Sequence, residues 1–175
     1  VIIPARIGST RLPEKPLRDI CGKPMIIRTC EQVKKANIGQ VIVACDDEKV
    51  KKVVTDHGYK AVLTAPKLPS GSDRIYAAML EVEKQTGEKA DIIVNVQGDE
   101  PLIPHLLISD SVKVFENNKW ADVVTYAHDI DHEEDLNNPN LVKVVTDVNH
   151  KAHYFSRSMI PHGARVAKRH IGFYA

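Results

Sequence analysis

The chain has 175 residues, 19.5 kDa and a formal net charge of +1. That length suits one domain over residues 1–175 with a sizeable core, and 43% hydrophobic with 27% charged residues is ordinary for a globular protein. The near-neutral charge argues against a nucleic-acid partner held on a broad basic face, and no apolar run approaches the roughly 20 residues needed to span a bilayer.

The first strand is expected in the apolar run that opens the chain and breaks at Pro4. A loop follows that gathers Gly8, Ser9 and Thr10 with Arg6, Arg11 and Lys15. In an open α/β sheet, ligands bind beyond the carboxyl ends of the strands. Small residues let backbone N–H groups approach phosphate oxygens, and three cations oppose phosphate charge. The loop is neither a Walker A sequence nor G-x-G-x-x-G, so by composition alone it is either an anion cradle or a solvated surface loop.

From Pro24 the pattern turns helical, with Met25, Ile26, Thr29, Cys30 and Val33 at spacings of three and four. Residues 37–39 end that helix, and residues 41–44 read as a second buried strand. Asp46 is the expected N-cap of a helix carrying Val50, Val53 and Val54 and ending near Gly58. Residues 61–63 form a third strand and residues 66–71 a loop. Ser72 or Asp73 is expected to cap the helix bearing Ile75, Met79, Leu80 and Val82.

Residues 92–96 are the strongest strand signal in the chain, stopped by residues 97–101. Pro104 sits where a further helix can begin. Residues 121–127 read as a strand and 129–140 as a polar loop or helical turn. Residues 141–147 and 152–156 have hairpin spacing, and residues 171–174 are strand-like. Strand–helix alternation over the first 127 residues predicts an α/β fold: a mostly parallel, mixed sheet with helices on both faces.

Asp99 follows a buried strand and is expected at its carboxyl edge. A carboxylate there can hold Mg²⁺, which takes one or two protein carboxylates and keeps several waters, or it can close a turn. His150 and His153 have no third ligand at a plausible spacing, so no metal site is expected there. Cys21, Cys30 and Cys45 show no paired framework or metal spacing and read as reduced thiols, with Cys45 a small core residue. Lys168 and Arg169 read as an exposed loop. No signal peptide is visible, and a cytoplasmic location is expected. Residue 1 is not Met and already lies in a strand, so the chain is expected to be trimmed at its start.

The order Arg-x-x-Ser-Thr-Arg-Leu-Pro-x-Lys-Pro-Leu in the first loop resembles the signature of the sugar-activating cytidylyltransferases, in particular those for 3-deoxy-manno-octulosonate (KDO). Val94-Asn-Val-Gln-Gly-Asp-Glu-Pro-Leu-Ile-Pro104 resembles their second signature. Ser70-Gly-Ser-Asp-Arg74, Asn138-Pro-Asn-Leu-Val-Lys-Val-Val-Thr-Asp147, Tyr154-Phe-Ser-Arg157 and His170-Ile-Gly-Phe-Tyr174 resemble further blocks of that family, in its order.

The resemblance implies a GT-A-like nucleotide-binding fold, a homodimer, and Mg²⁺-dependent conversion of CTP and KDO to CMP-KDO and pyrophosphate, a step toward lipopolysaccharide or another KDO-containing polysaccharide. Carried over by position, Ala5, Arg6, Ser9, Arg11 and Lys15 would hold CTP, and Ser70, Gly71 and Arg74 would lie near its base and ribose. Gln97, Arg157, His170 and Tyr174 would line the sugar pocket, and Asp99 would bind the metal. Arg11, Lys15 and Asp99 are the implied catalytic residues.

Family members continue beyond the block at His170 and carry a second metal-binding Asp in a Gly-x-Asp-Thr-Pro-like segment, which these residues lack. A C-terminal part is therefore expected to be absent from this chain, and the stretch between Pro161 and His170 is shorter than the family's. The rival expectations are a sister enzyme for another acidic sugar such as sialic acid, and a non-catalytic nucleotide-binding module.

Overall fold

The computed structural model describes residues 1–8, 12–164 and 166–175, apart from the side chains of Glu133 and Glu134. Two compact units emerge, Val1–Val124 with Ala175, and Thr125–Tyr174.

The first unit opens with β1 (Ile2–Ala5), a 3-10 turn at Lys15–Leu17, and a short antiparallel ribbon of β2 (Asp19–Ile20) and β3 (Lys23–Pro24). There follow α1 (Met25–Lys35), β4 (Ile42–Cys45), α2 (Glu48–Asp56), β5 (Lys60–Leu63), α3 (Gly71–Thr86) and α4 (His105–Asn117). β1, β4 and β5 form a parallel ladder in that order, with Ile2 opposite Ile42 and Ile42 opposite Lys60.

Successive strand side chains point to opposite faces. Ile2, Ile42, Ala44 and Val62 pack on one face with Ile75 and Ala78 of α3. Ile3 points the other way, toward Ile26 of α1. The Ile3 Cγ2 and Ile26 Cδ1 atoms lie 3.7 and 3.5 Å from where a Cβ on Gly98 would sit. Helices therefore cover both faces of this sheet, as the alternation predicts, and α4 packs against α1.

Pro4 does not break β1; the strand runs through it to Ala5. Neighbouring residues of a strand in a parallel ladder bond to opposite sides. On one side, Ile42 N donates to Val1 O at 3.0 Å, toward β4. On the other, Ile2 N donates to Val94 O at 2.8 Å and Val96 N to Ile2 O at 3.4 Å. The next donor on that second side would be Pro4, which has no N–H. The run at 92–96, the strongest strand signal, is thus reduced to a single parallel bridge between Ile2 and Asn95.

Two helix caps differ from expectation. Asp47, not Asp46, caps α2 by accepting from Lys49 N at 2.7 Å. Ser70, not Ser72 or Asp73, caps α3 by accepting from Asp73 N at 3.1 Å, and its own hydroxyl donates to the Asp73 carboxylate at 2.5 Å. Each true cap is the residue in extended conformation just before the first helical turn.

The second unit contains β6 (Thr125–Asp129), α5 (Glu133–Leu136), β7 (Lys143–Thr146), β8 (Ala152–Ser156) and β9 (Lys168–Tyr174). They make an antiparallel ladder in the order β6-β9-β7-β8. The β7–β8 hairpin is the one anticipated, with Val144 opposite Phe155. Its turn is closed by Asp147, which accepts from Asn149 N at 2.8 Å and Lys151 N at 2.9 Å. Lys168 and Arg169 lie in β9 rather than in a loop, and Lys168 pairs with Asp129 at 2.8 Å.

The first unit carries the parallel ladder β1-β4-β5 and the second the antiparallel ladder β6-β9-β7-β8. The broader expectation, an α/β fold with a parallel sheet, holds. No helix among the described residues is long and apolar enough to cross a membrane.

Among the described residues of the second unit, one charge is buried. Lys143 has no exposed surface, and its ammonium donates to the carbonyls of Asn138, Leu141 and Arg157 at 2.5, 3.1 and 3.1 Å. Three donors meet three acceptors, which satisfies the group without a carboxylate.

Candidate active site

A cleft of about 390 Å³ opens at the carboxyl end of β1, within the size range of small-molecule sites. Pro4 and Ala5 line it from the end of β1, Arg6 and Gly8 from the loop that follows, and Lys15 and Pro16 from the 3-10 turn. Met25 of α1 and Gln97, Gly98 and Asp99, just after the bridged run, complete the wall.

Two segments far apart in the chain meet there. Lys15 Nζ lies 2.5 Å from Asp99 Oδ2, and both side chains keep solvent access, at 35% and 47%. Arg6 and Lys15 outnumber Asp99 as charges on the wall, and Gly8 and Gly98 present backbone without side chains. A cleft of that make-up suits a polyanion held by cations and amide groups.

The supports of the cleft are specific. Leu17 N donates to Glu14 O at 2.8 Å, closing the turn that aims Lys15, and Lys49 of α2 pairs with Glu14 at 3.0 Å. A Cβ on Gly98 would stand 2.8 Å from the Pro4 carbonyl oxygen, so only glycine fits there without displacing backbone. Buried Thr29 of α1 donates to Gly98 O at 3.1 Å and holds the approach to Asp99.

The other nucleotide candidates separate into groups. Ala5, Arg6 and Lys15 are on the cleft wall. Ser70 caps α3, and a Cβ on Gly71 would lie 3.6 Å from Pro4 Cγ, which brings the start of α3 against a wall residue. Arg74 is wholly buried, donating to Thr64 Oγ1 at 2.5 Å and to Asp46 Oδ2 and Pro66 O at 3.4 Å each. Its Nε has no partner among the described residues. Ser9 and Arg11 lie outside the described residues.

Of the sugar candidates, Gln97 is on the cleft wall and donates to Asn95 Oδ1 at 3.1 Å. In the second unit, the His170 ring meets Phe155 edge-on and lies tilted against Tyr174, with ring centres 5.1 and 5.3 Å away. His170 Nε2 is 2.8 Å from Thr125 Oγ1, and burial pushes the imidazole below its ordinary value of 6.5. Arg157 donates from Nη1 to Pro139 O at 2.9 Å.

Cys30 and Cys45 are buried and Cys21 is exposed, and none of the three lines the cleft. Burial pushes the Cys30 and Cys45 thiols up to about 12 and about 11. His153 pairs with Asp147 at 3.7 Å, and no group of three potential metal ligands occurs among the described residues.

Sequence reasoning missed Thr29, Thr64 and the real partner of Asp46. By sequence Thr29 is one more position of a helical stripe, and nothing local marks a bond to a residue 69 positions away.

The cytidylyltransferase family profile matches residues 1–174. The chain belongs to the cytidylyltransferase family. Its relatives include the 3-deoxy-manno-octulosonate cytidylyltransferase of Aliivibrio fischeri, 46% identical over all of this chain and 73% of that protein. The protein of the same description in Bartonella henselae is 43% identical over all of this chain and 72% of its own length.

A solved structure of a CMP:2-keto-3-deoxy-manno-octonic acid synthetase complexed with CTP superposes with a TM-score of 0.88 at 38% identity, covering 99% of this chain and 71% of that one. A cytidylyltransferase structure from Leptospira borgpetersenii is more distant, with a TM-score of 0.57 at 26% identity over 71% of this chain and 51% of that one. In this cytidylyltransferase the cleft at β1 is thus set in the fold of a nucleotide-binding relative.

Proposed function

We propose that the chain is the catalytic domain, residues 1–175, of a KDO cytidylyltransferase, converting CTP and KDO to CMP-KDO and pyrophosphate. The observation that carries this reading is the meeting of Lys15 and Asp99 across the cleft at the end of β1. The fold relative complexed with CTP and the relatives named for KDO supply the substrates.

In the reaction, the anomeric hydroxyl of the sugar forms a bond to the α-phosphorus and loses its proton, and the bond from that phosphorus to the pyrophosphate oxygen breaks. Charge builds on the departing pyrophosphate. Lys15 and Arg11 offset it, and Arg6 with the Gly8 backbone holds the triphosphate. Arg157 can grip the sugar carboxylate with two parallel N–H bonds, and His170 and Tyr174 would lie beside the sugar.

Asp99 fits Mg²⁺ as a single carboxylate, half exposed on a wall that otherwise carries cations, for an ion whose remaining ligands are phosphates and water. Bound there, Mg²⁺ would supply charge neutralisation and orientation at the phosphates. The reading extends to a cytoplasmic homodimer with a GT-A-like fold.

A pyrophosphate-release assay across the four NTPs, with KDO or a sialic acid, tests it. Release with CTP and KDO is expected. Release with sialic acid alone would transfer the chain to the sister enzymes, and CTP binding without release in any combination would leave a nucleotide-binding module.

A further inference from the structure

Asp46 was expected to start a helix, but the structure gives it different partners. Its Oδ1 accepts from Ile7 N at 3.0 Å, and its Oδ2 pairs with Arg74 Nη2 at 3.4 Å. The Asp46 side chain is 9% exposed and that of Arg74 is 0% exposed. Thr64 completes the set: its hydroxyl accepts from Arg74 Nη1 and donates to Cys45 O at 3.0 Å. A cation on α3 therefore fixes a carboxylate at the exit of β4, and that carboxylate fixes an amide in the loop that leaves β1.

Ile7 lies between Arg6 and Gly8, and both of these line the cleft. Its amide is where that network meets the candidate nucleotide loop.

We propose that Asp46 is a positioning residue for nucleotide binding: it anchors Ile7 so that Arg6 and the Gly8 backbone stay aimed at the phosphates, and Arg74 acts through it. The proposal rests on the reading of the cleft as the CTP site. Removing Asp46 alone would strand the buried Arg74 charge, a severe penalty unrelated to the loop. Two double variants avoid this. Asp46→Asn with Arg74→Met removes both charges and keeps a carbonyl acceptor for Ile7 N. Asp46→Leu with Arg74→Met removes both charges and the acceptor, at nearly the same volume.

The test is CTP affinity by calorimetry, with KM for each substrate and the unfolding midpoint of each protein. The Leu/Met protein should bind CTP at least tenfold more weakly than the Asn/Met protein, with KM for CTP raised and KM for KDO unchanged. Equal CTP affinity in the two folded doubles would overturn the role of Asp46 while leaving the functional reading intact. Failure of the unaltered chain to bind CTP would overturn both. If either double does not fold, amide exchange on the unaltered chain decides: Ile7 should be protected at least a hundredfold over an unstructured peptide, and free exchange would overturn the anchor.

Discussion

Lys15 and Asp99 are 84 positions apart in the chain, and their side chains meet at 2.5 Å on the wall of one cleft. Both are partly open to solvent, so the pair adds little to stability, about 0–1 kcal/mol by the usual behaviour of exposed ion pairs. Under the proposed function its value is to place a cation and an anion where a triphosphate would reach both. Lys15→Ala should lower turnover by about 10²-fold or more, the scale set by losing one preorganised electrostatic contact. The unfolding midpoint should barely move. Unchanged turnover in a normally folded variant would remove Lys15 from the mechanism.

Two glycines near Pro4 should respond in opposite ways. Gly98→Ala drives a Cβ to 2.8 Å from the Pro4 carbonyl oxygen, a backbone atom that cannot step aside cheaply. It should cost about 1–3 kcal/mol, as overpacking does, and weaken CTP binding by shifting Asp99. Gly71→Ala meets Pro4 Cγ at 3.6 Å and Cβ at 3.8 Å, ordinary contacts in the first turn of α3, and should leave stability level or raise it by roughly 0.5–1 kcal/mol. Denaturant titration of the two variants compares them directly. A CTP-binding loss in a fully stable Gly71→Ala would mark the backbone there as a nucleotide contact.

Lys143→Met should be among the most destabilising single changes in the second unit. It leaves the carbonyls of Leu141 and Arg157 short of a donor in a buried place, a loss of about 2–3 kcal/mol at the usual cost of unmet polar groups. Urea unfolding reads it. Because Arg157 is one of those tied carbonyls, KM for KDO should rise before KM for CTP.

His170 gives a pH signature. Burial lowers its folded-state pKa below the ordinary 6.5, so the unfolded chain takes up the proton first as pH falls. Its contribution is fully favourable above pH 6.5 and is lost as pH drops from there through the lower folded value. Stability should therefore rise with pH across that window more steeply in the unaltered protein than in His170→Phe. Equal slopes in the two proteins would contradict the assignment.

What the sequence made legible was periodic or compositional. The stripe of Met25, Ile26, Thr29, Cys30 and Val33 became the buried side of α1, and the β7–β8 hairpin followed from its spacing. Basic residues beside small ones after β1 located the cleft, and Asp99 at a strand end located its far wall. The failures share a cause: the partner is distant in sequence. Asp46 reads as a cap because Asp before a helix is a common cap, yet its bonds go to Ile7 and Arg74. The run at 92–96 has every local mark of a strand, but its ladder depends on an N–H that Pro4, across the sheet, does not have.

The central claim is that the cation at Lys15 and the carboxylate at Asp99 share one triphosphate. Mg²⁺-dependent pyrophosphate release from CTP and KDO, measured for the unaltered chain and for Asp99→Asn, tests it most directly. The account predicts release that requires Mg²⁺ in the unaltered chain and a loss of at least about 10²-fold in Asp99→Asn at unchanged stability. Full Mg²⁺-dependent release by Asp99→Asn would contradict it.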